Sequence, residues 1–487
     1  MTPFVSSPLA RTTPEKAGIP SAALSTLIRA LEDQGLDPHA LVVVRHGRIV
    51  LDTAWAPYRT DRAALSYSAS KTFTSVAIGF LESEGRLRLD DSVGDLLDLP
   101  NPNGLTVFHL LTMNTGHTAE QIEGLRFNPR ALLAVPPAFV PGTYFSYNSD
   151  ATYALSRIVS ALTGETLTEY LRPRLLDPLG IGRRWMSPLF GVEQGFSGFH
   201  LTAYDIARLA SLLADGGRWG EGTQLVPADY AADLEKPWSD SHNPGDGPPA
   251  EGAPVDDWTL GYGYQVWRSR HGFRIDGAYG QFGLAIPERG LAIGYQGASR
   301  DTPATLNAMW DFVEAIGDGD VETDAAASAA LADRADSLDT WNAREVLAID
   351  PAAPVDTMGW ALSEEGEGWR LSMPGGDVLP ALEVVVGNGT WIETVVERTG
   401  EGHPLGRPLP VVGPEVSEGT HLALAARGAR TPAGDVLVHL VNTTSPHRMI
   451  VTVAADGEIS AGWHTAPLWE PTLSTLVTAA FVLDTAD

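Results

Sequence analysis

The hydrophobic pattern changes about two-thirds of the way along the chain, and this change most constrains the fold. From about residue 20 to 315, segments with helical spacing alternate with strand-like segments, and strand-like segments occur at both ends of this region. Such an order predicts an α+β domain in which one antiparallel sheet, flanked by helices, is shared by the two ends. After about residue 345 the apolar runs are short and bounded by Gly, Pro and Asn, which predicts a smaller all-β sandwich or barrel.

Chain length supports the same division. A chain of 487 residues exceeds what one hydrophobic core usually organises, so two domains are expected. We place the first at 1–316 and the all-β C-terminal domain at 345–487. Residues 317–344 are acidic and alanine-rich, which fits either a helical linker or a solvated spacer.

Composition excludes several classes of function. The net charge of −28 disfavours binding to nucleic acid or to an anionic membrane surface. The chain has no cysteine, and its 12 histidines show no metal-ligand spacing, so we expect neither a metal nor a cofactor. The first twenty residues have no signal-peptide pattern and no segment is long enough to span a bilayer, so a cytoplasmic protein is expected. The oligomeric state is left open.

A Ser-x-x-Lys motif is the first candidate for catalysis. It runs from Ser68 to Lys71 at the start of an apolar segment that predicts a helix over 68–84. Residues three apart share a helix face, so the lysine amine is expected beside the serine hydroxyl. Lysine serves as a base when burial lowers its pKa, whereas arginine stays protonated. Lys71 is one of three lysines among 33 basic residues, in a chain that otherwise uses arginine.

Two further segments have features of an active site. Tyr147 precedes a predicted helix over 149–162, for which Ser149 is the expected N-cap, and a tyrosine at such a junction is able to pass a proton. A strand near 275 carries Gly277, a residue typical of a close backbone approach. The backbone N–H of Ala278 after that strand, together with that of Ser68, is expected to form an oxyanion hole. Trp258 and Trp267 either line the cleft or, as we expect, pack in the core.

Together these motifs resemble the group of class C β-lactamases, D,D-peptidases and family-VIII esterases. The resemblance covers residues 14–315 and includes HGRIV, LTVFHLLTMNTG, LLDPLGI and LTAYDIARLASLLADGG. It implies a β-lactamase/transpeptidase-like fold with a helical subdomain. It also implies that Ser68 is the nucleophile and that Lys71 and Tyr147 handle its protons, with either one as the base. Substrate contacts are expected from four residues: Asn148, Ser149, Gly277 and Gln281.

The third motif departs from the family pattern, in which Lys-Thr-Gly or His-x-Gly is common. Here it reads Ile275-Asp276-Gly277 and offers no cation to a β-lactam carboxylate, unless a neighbour such as Arg274 supplies one. We therefore expect a serine esterase or amidase acting on a small ester, amide or peptide. The alternatives are β-lactamase or D,D-peptidase activity, and a catalytically silent binding protein. Because all three motifs lie before 317, the chemistry is expected upstream, with 345–487 shaping substrate access, stability or assembly.

Overall fold

A seven-stranded sheet organises the first part of the protein in the computed structural model. The structure describes residues 9–242, 255–317, 319, 321–343, 347–376, 379–398 and 419–483. The strands before residue 317 are β1 (Ala10–Arg11), β2 (Pro38–Arg45), β3 (Arg48–Ala54), β4 (Ala64–Leu65), β5 (Pro188–Leu189), β6 (Val192–Glu193), β7 (His200–Leu201), β8 (Arg218–Trp219), β9 (Thr223–Gln224), β10 (Trp267–Arg268), β11 (Phe273–Gly277), β12 (Gln281–Ile286) and β13 (Leu291–Gly297).

The order of the main sheet joins both ends of this region. It runs β1-β3-β2-β13-β12-β11-β10, and every neighbouring pair is antiparallel except β1 with β3. Pairing of β2 with β13 therefore brings the N-terminal hairpin beside the last strand of the region, as the sequence predicts.

Helices cover the two faces of this sheet. They are α1 (Ser21–Asp33), α2 (Ser70–Ser83), α3 (Val93–Leu97), α4 (Val107–Leu111), α5 (Ala119–Leu125), α6 (Pro129–Ala134), α7 (Ser149–Thr163), α8 (Leu167–Leu171), α9 (Asp177–Leu179), α10 (Ala203–Ala214), α11 (Ala228–Leu234) and α12 (Thr302–Ala315). Side chains alternate along a strand, so β2 sends Leu41 and Val43 to a core shared with α1 and α12. It sends Val42 and Val44 to a second core that contains α10 and α2.

Helix α2 is the central helix of the second core. Every residue from Ser70 to Leu81 is buried. It packs against α7 and α8, within a group of short helices that lies between β3 and β10 in the sequence. A helix enclosed on all sides holds its first turn rigidly, and that turn follows Ser68 directly.

Strands dominate the rest of the chain. A helix, α13 (Ala325–Ala335), is followed by β14 (Pro354–Val355), β15 (Ala361–Glu365), β16 (Gly368–Met373), β17 (Leu382–Asn388), β18 (Ile392–Glu397), β19 (His421–Arg430), β20 (Val436–Asn442), β21 (Arg448–Val453) and β22 (Ile459–Thr465). These nine strands form one sheet in the order β14-β22-β21-β20-β19-β17-β16-β15, with β18 also paired to β19. One apolar core with Trp369, Leu440 and Trp463 joins its two halves, so the sheet curves around that core.

The predicted linker and the C-terminal sheet both pack against the first part. Within 317–344 the structure contains α13, whose Leu331 is buried in the same core as α1, so the helical alternative is correct. Residues 318, 320 and 344 lie outside the described residues, as do 1–8 and 243–254 of the first predicted domain, and 345–346, 377–378, 399–418 and 484–487 of the last. The division at 316 and 345 stays a prediction.

A buried ion pair connects the C-terminal sheet to the first part. Arg448 on β21 donates from Nη2 to Asp37 Oδ1 over 2.8 Å, and the two side chains are 0 % and 1 % exposed. Nearby, the Leu65 N–H donates to the Thr444 carbonyl over 2.9 Å. Contacts of this kind leave the two regions with a shared interior rather than a solvated hinge.

Candidate active site

The chain is strained immediately before the candidate nucleophile. Tyr67–Ala69 form a single 3-10 turn that runs into α2. Tyr67 has a φ of 46°, a conformation that costs energy for a residue with a bulky side chain. The turn places Ser68 at the N-terminal end of α2, and the unpaired backbone N–H groups of a helix N-terminus favour negative charge.

Ser68 and Lys71 meet as the motif predicts. Lys71 Nζ lies 3.0 Å from Ser68 Oγ. Ser70, the other serine of the motif, is fully buried; its hydroxyl donates to the Tyr67 carbonyl and accepts from the Phe199 N–H. Within this turn, the hydroxyl that borders the cleft is therefore that of Ser68, which is partly exposed.

The surroundings of Lys71 favour its neutral form. The side chain is 1 % exposed, and its other hydrogen-bond partners are Ser149 Oγ at 3.1 Å and the Phe196 carbonyl at 2.9 Å. All of these partners are uncharged. Burial lowers the pKa of Lys71 to about 7, partly opposed by the charge of Asp276. A neutral amine donates its two N–H bonds to Ser149 and Phe196 and turns its lone pair to the Ser68 hydroxyl.

Tyr147 stands at the start of α7, beside the same amine. Its ring centroid is 4.8 Å from Lys71 Nζ, and the ring stacks on Trp267 at 5.6 Å. Tyr147 is 37 % exposed, yet desolvation of its hydroxyl raises the pKa of Tyr147 above its ordinary value, and a hydrogen bond with Ser68 only partly offsets this. The phenol is therefore protonated at neutral pH and suits proton donation better than proton abstraction.

The end of β11 packs against the nucleophile turn. A Cβ on Gly277 would lie 2.3 Å from the Ser66 carbonyl oxygen, so only glycine fits this crossing. Ala278 follows directly and lines the same cleft as Ser68. The next residue, Tyr279, has a φ of 64°. The two residues expected to form the oxyanion hole thus lie on adjacent turns, each flanked by a tyrosine in the left-handed region.

The third motif forms a closed ion pair. Arg274 is fully buried, and its Nε donates to Asp276 Oδ2 over 2.8 Å. Asp276 lines the cleft, whereas Ile275 points into the core on the opposite face of β11. Burial raises the pKa of Asp276, and Arg274 counteracts this. Because Arg274 is enclosed and already engaged, it does not supply the cation that the motif lacks.

Of the four residues predicted to contact substrate, one lines the cleft and three lie behind its lining. Ser149 lines the cleft. Asn148 is buried and caps α7, with Oδ1 accepting from the Ala151 N–H at 3.1 Å, so the expectation that Ser149 is the N-cap was wrong. Gln281 is buried and donates to the Gly297 carbonyl over 2.6 Å, bracing the turn after β11. Asn148, Gly277 and Gln281 are therefore supports of the cleft rather than part of its lining.

Aromatic and apolar side chains give the cleft its character. It is a cavity of about 420 Å³. Its lining includes residues that the sequence analysis missed or placed in the core: Phe196, Trp258, Trp267, Leu468 and Trp469. The two tryptophans predicted as core residues do pack in an aromatic cluster with Phe145 and Tyr262, but one face of each borders the cleft. No local pattern marks Leu468 and Trp469, which arrive from the far end of the chain.

The arrangement of the described side chains and helices bears on cofactors and membranes. In the part of the chain that the structure describes, no group of three or more His, Cys, Asp or Glu side chains is arranged to hold a metal ion. No described helix has both the length and the apolar character needed to cross a bilayer.

Several known proteins are similar to this chain. Penicillin-binding protein 4 of Amycolatopsis lactamdurans is 27 % identical over 44 % of this chain and 64 % of its own length. A D-aminopeptidase of Brucella anthropi is 28 % identical over 36 % of this chain and 39 % of its own. The chain therefore matches less than two-thirds of the length of these curated relatives.

Solved structures that are similar to this chain are more distant in sequence. A penicillin-binding protein homologue from Caulobacter crescentus has a TM-score of 0.48 and 18 % identity, covering 62 % of this chain and 98 % of that one. One from Pyrococcus abyssi has a TM-score of 0.47 and 16 % identity, covering 90 % of this chain and 99 % of that one. The model of the Beta-lactamase family matches residues 24–317, more than half of the chain, and the protein belongs to that family.

Proposed function

We propose that the protein is a serine hydrolase that cleaves an uncharged ester or amide through an acyl-enzyme on Ser68. One observation carries the proposal: a lysine whose pKa burial lowers to about 7 lies 3.0 Å from the hydroxyl of an accessible serine. A structural lysine would be solvated or paired with a carboxylate, and neither holds here.

The reaction begins when Ser68 Oγ attacks the carbonyl carbon. Lys71 Nζ takes the hydroxyl proton as the new C–O bond forms. Negative charge collects on the former carbonyl oxygen, and the backbone N–H groups of Ser68 and Ala278 stabilise it. Tyr147 donates its proton to the leaving oxygen or nitrogen as that bond breaks. The proton on Lys71 then restores the phenol.

Water completes the cycle. It attacks the acyl carbonyl and gives up a proton to the neutral Lys71 amine. The bond to Ser68 Oγ breaks, the serine recovers a proton from the lysine, and the acid leaves. With water as the second reactant, the proton transfers among Ser68, Lys71 and Tyr147 balance over the cycle.

The cleft favours uncharged substrates over carboxylates. Asp276 is the acidic residue of the described lining, and Arg274 is enclosed behind it. A substrate carboxylate placed there would be repelled by Asp276, and Arg274 would not be available to pair with it. This is the reason for proposing ester or amide hydrolysis ahead of β-lactam hydrolysis or D,D-peptidase activity.

The decisive experiment is acylation of the full-length protein. A chromogenic short-chain ester and a fluorophosphonate should both modify the peptide that contains Ser68, as read by mass spectrometry, and Ser68→Ala should abolish turnover and labelling while thermal unfolding is unchanged. Penicillins tested in parallel should react far more slowly than the ester. A protein that hydrolyses no ester and is not labelled at Ser68 would be the silent binding protein instead.

A further inference from the structure

Two apolar side chains from the C-terminal region form part of the catalytic cleft. Leu468 and Trp469 follow β22 and line the cavity that contains Ser68. Each is 51 % exposed. Large apolar side chains left open inside a cleft are typical of a surface that an apolar ligand covers.

The segment that carries them is anchored at one end to the turn after β11 and at the other end to β22. The Tyr279 hydroxyl donates to the Ala466 carbonyl over 2.6 Å, beside Ala278. Beyond the two side chains, the Trp463 indole N–H donates to the Pro471 carbonyl over 2.9 Å. The segment 466–471 is thus fastened at its two ends and holds its side chains in place.

A histidine adds a third anchor, next to Ser68. His447 Nδ1 lies 3.0 Å from the Thr465 carbonyl oxygen, which only accepts, so Nδ1 carries the hydrogen. Nε2 is then the acceptor for the Tyr67 hydroxyl at 2.6 Å. Burial lowers the pKa of His447 to about 3, so the ring is neutral and this tautomer persists across the working pH range.

Aromatic rings form both walls of the cleft. Trp469 lies 6.4 Å from Phe196 and 5.3 Å from Phe127, between ring centroids. Trp258 and Trp267 also line the cleft. Arg274 packs against Trp258, and its guanidinium carbon lies 4.5 Å from the centroid of that ring. A slot with this lining binds a flat or elongated apolar group better than a small or charged one.

We propose that Leu468 and Trp469 form an apolar subsite for the substrate, so that the C-terminal region selects esters or amides with a bulky aromatic or medium-chain group beside the scissile bond. The inference rests on the proposed function and names the substrate class of that site. It makes Trp469 a residue that determines specificity, not one that takes part in proton transfer.

The first test compares substrates that differ only in size. Acetyl, butyryl, octanoyl and benzoyl esters of one alcohol vary the acyl group, and acetate esters of methyl, hexyl and benzyl alcohols vary the leaving group. Trp469→Ala should lower kcat/KM for the bulky members of one series about tenfold or more, since apolar contacts discriminate on this scale, and leave the smallest ester within about twofold. Trp469→Phe should recover most of the loss.

A matched control removes a tryptophan outside the cleft. Trp238 is 39 % exposed, close to the exposure of Trp469, and is not part of the lining. Trp238→Ala should leave the size preference unchanged. If Trp469→Ala lowers kcat/KM equally for all esters, or lowers it for none of them, the inference is overturned.

A binding measurement separates this inference from the proposed function. In Ser68→Ala, unreacted octanoyl and acetyl esters are titrated by calorimetry, with and without Trp469→Ala. Weaker binding of the octanoyl ester alone supports the subsite even if the wild-type protein proves unable to hydrolyse either ester. Turnover in the wild type without a size-dependent effect of Trp469 contradicts the subsite and leaves the proposed function standing.

Discussion

Replacing Lys71 by arginine keeps a positive charge beside Ser68 and removes the proposed base. A lysine with the ordinary pKa of 10.5 is neutral in only about 0.03 % of molecules at pH 7, whereas a pKa of about 7 makes about half of them neutral. An arginine is protonated throughout this range. Loss of a positioned base costs on the order of 10² to 10⁴ in rate, and we expect a loss of kcat/KM of that size in Lys71→Arg.

The pH profile gives the same test a second readout. The base must be unprotonated, so kcat/KM of the wild type for an uncharged chromogenic ester should rise about tenfold per pH unit below 6 and level off above about 8, around the Lys71 pKa of about 7. In Lys71→Arg the residual rate should lack that inflection. Lys71→Met, which is neutral and similar in length, should be equally slow.

Two controls guard this interpretation. Lys236→Arg changes a lysine that is 53 % exposed and should leave both rate and profile unchanged. Thermal unfolding of each variant shows whether the buried site accepts the new side chain. If Lys71→Arg stays folded and keeps nearly full activity, or keeps an inflection near pH 7, then Lys71 acts only through its charge and the reasoning is refuted.

Two further predictions concern buried ion pairs. Asp276→Asn removes a charge that raises the pKa of Lys71, so the pH profile of kcat/KM should move to lower pH. The kcat/KM for carboxylate-bearing esters should also rise relative to that for neutral esters. An unmoved profile in a folded variant contradicts this. Arg448→Met leaves Asp37 buried without its cation and should cost about 3–5 kcal/mol in urea unfolding at pH 7. Arg448 lowers the pKa of Asp37, so this stability is present above the ordinary carboxyl pKa and lost as pH falls, and the deficit of the variant should shrink in acid. The double variant Arg448→Met with Asp37→Asn should recover part of the lost free energy of unfolding. A loss of unfolding free energy that is independent of pH would rule out the electrostatic explanation.

The sequence predicts that Ser68, Lys71 and Tyr147 lie together, and their positions follow from local geometry. A spacing of three on a helix brings Ser68 to Lys71, and a turn before a helix brings Tyr147 to the same place. The strand-like runs after 345 also appear as strands, since short apolar runs bounded by Gly, Pro and Asn mark strands locally.

Other features depend on contacts that local sequence does not encode. Asn148 and Ser149 are both good capping residues, and only the packing around Thr115 decides that Asn148 turns inward to cap α7. Trp258 and Trp267 pack on neighbouring side chains and also border the cleft. Hydrophobic periodicity does not distinguish such a position from one in the core. Trp469 reaches the cleft through pairing of distant strands.

The ion pair between Asp37 and Arg448 joins residues that are 411 positions apart in the sequence. During synthesis Ser68, Lys71 and Tyr147 leave the ribosome long before either Arg448 or Trp469. A nascent chain therefore contains the three proposed catalytic residues before Arg448 is present to pair with Asp37 and before Trp469 is present to line the cleft. Contacts of such long range form late and slowly. A mature active site is therefore a property of the finished chain, and on refolding from denaturant hydrolysis of bulky esters should return only with the last, slowest phase.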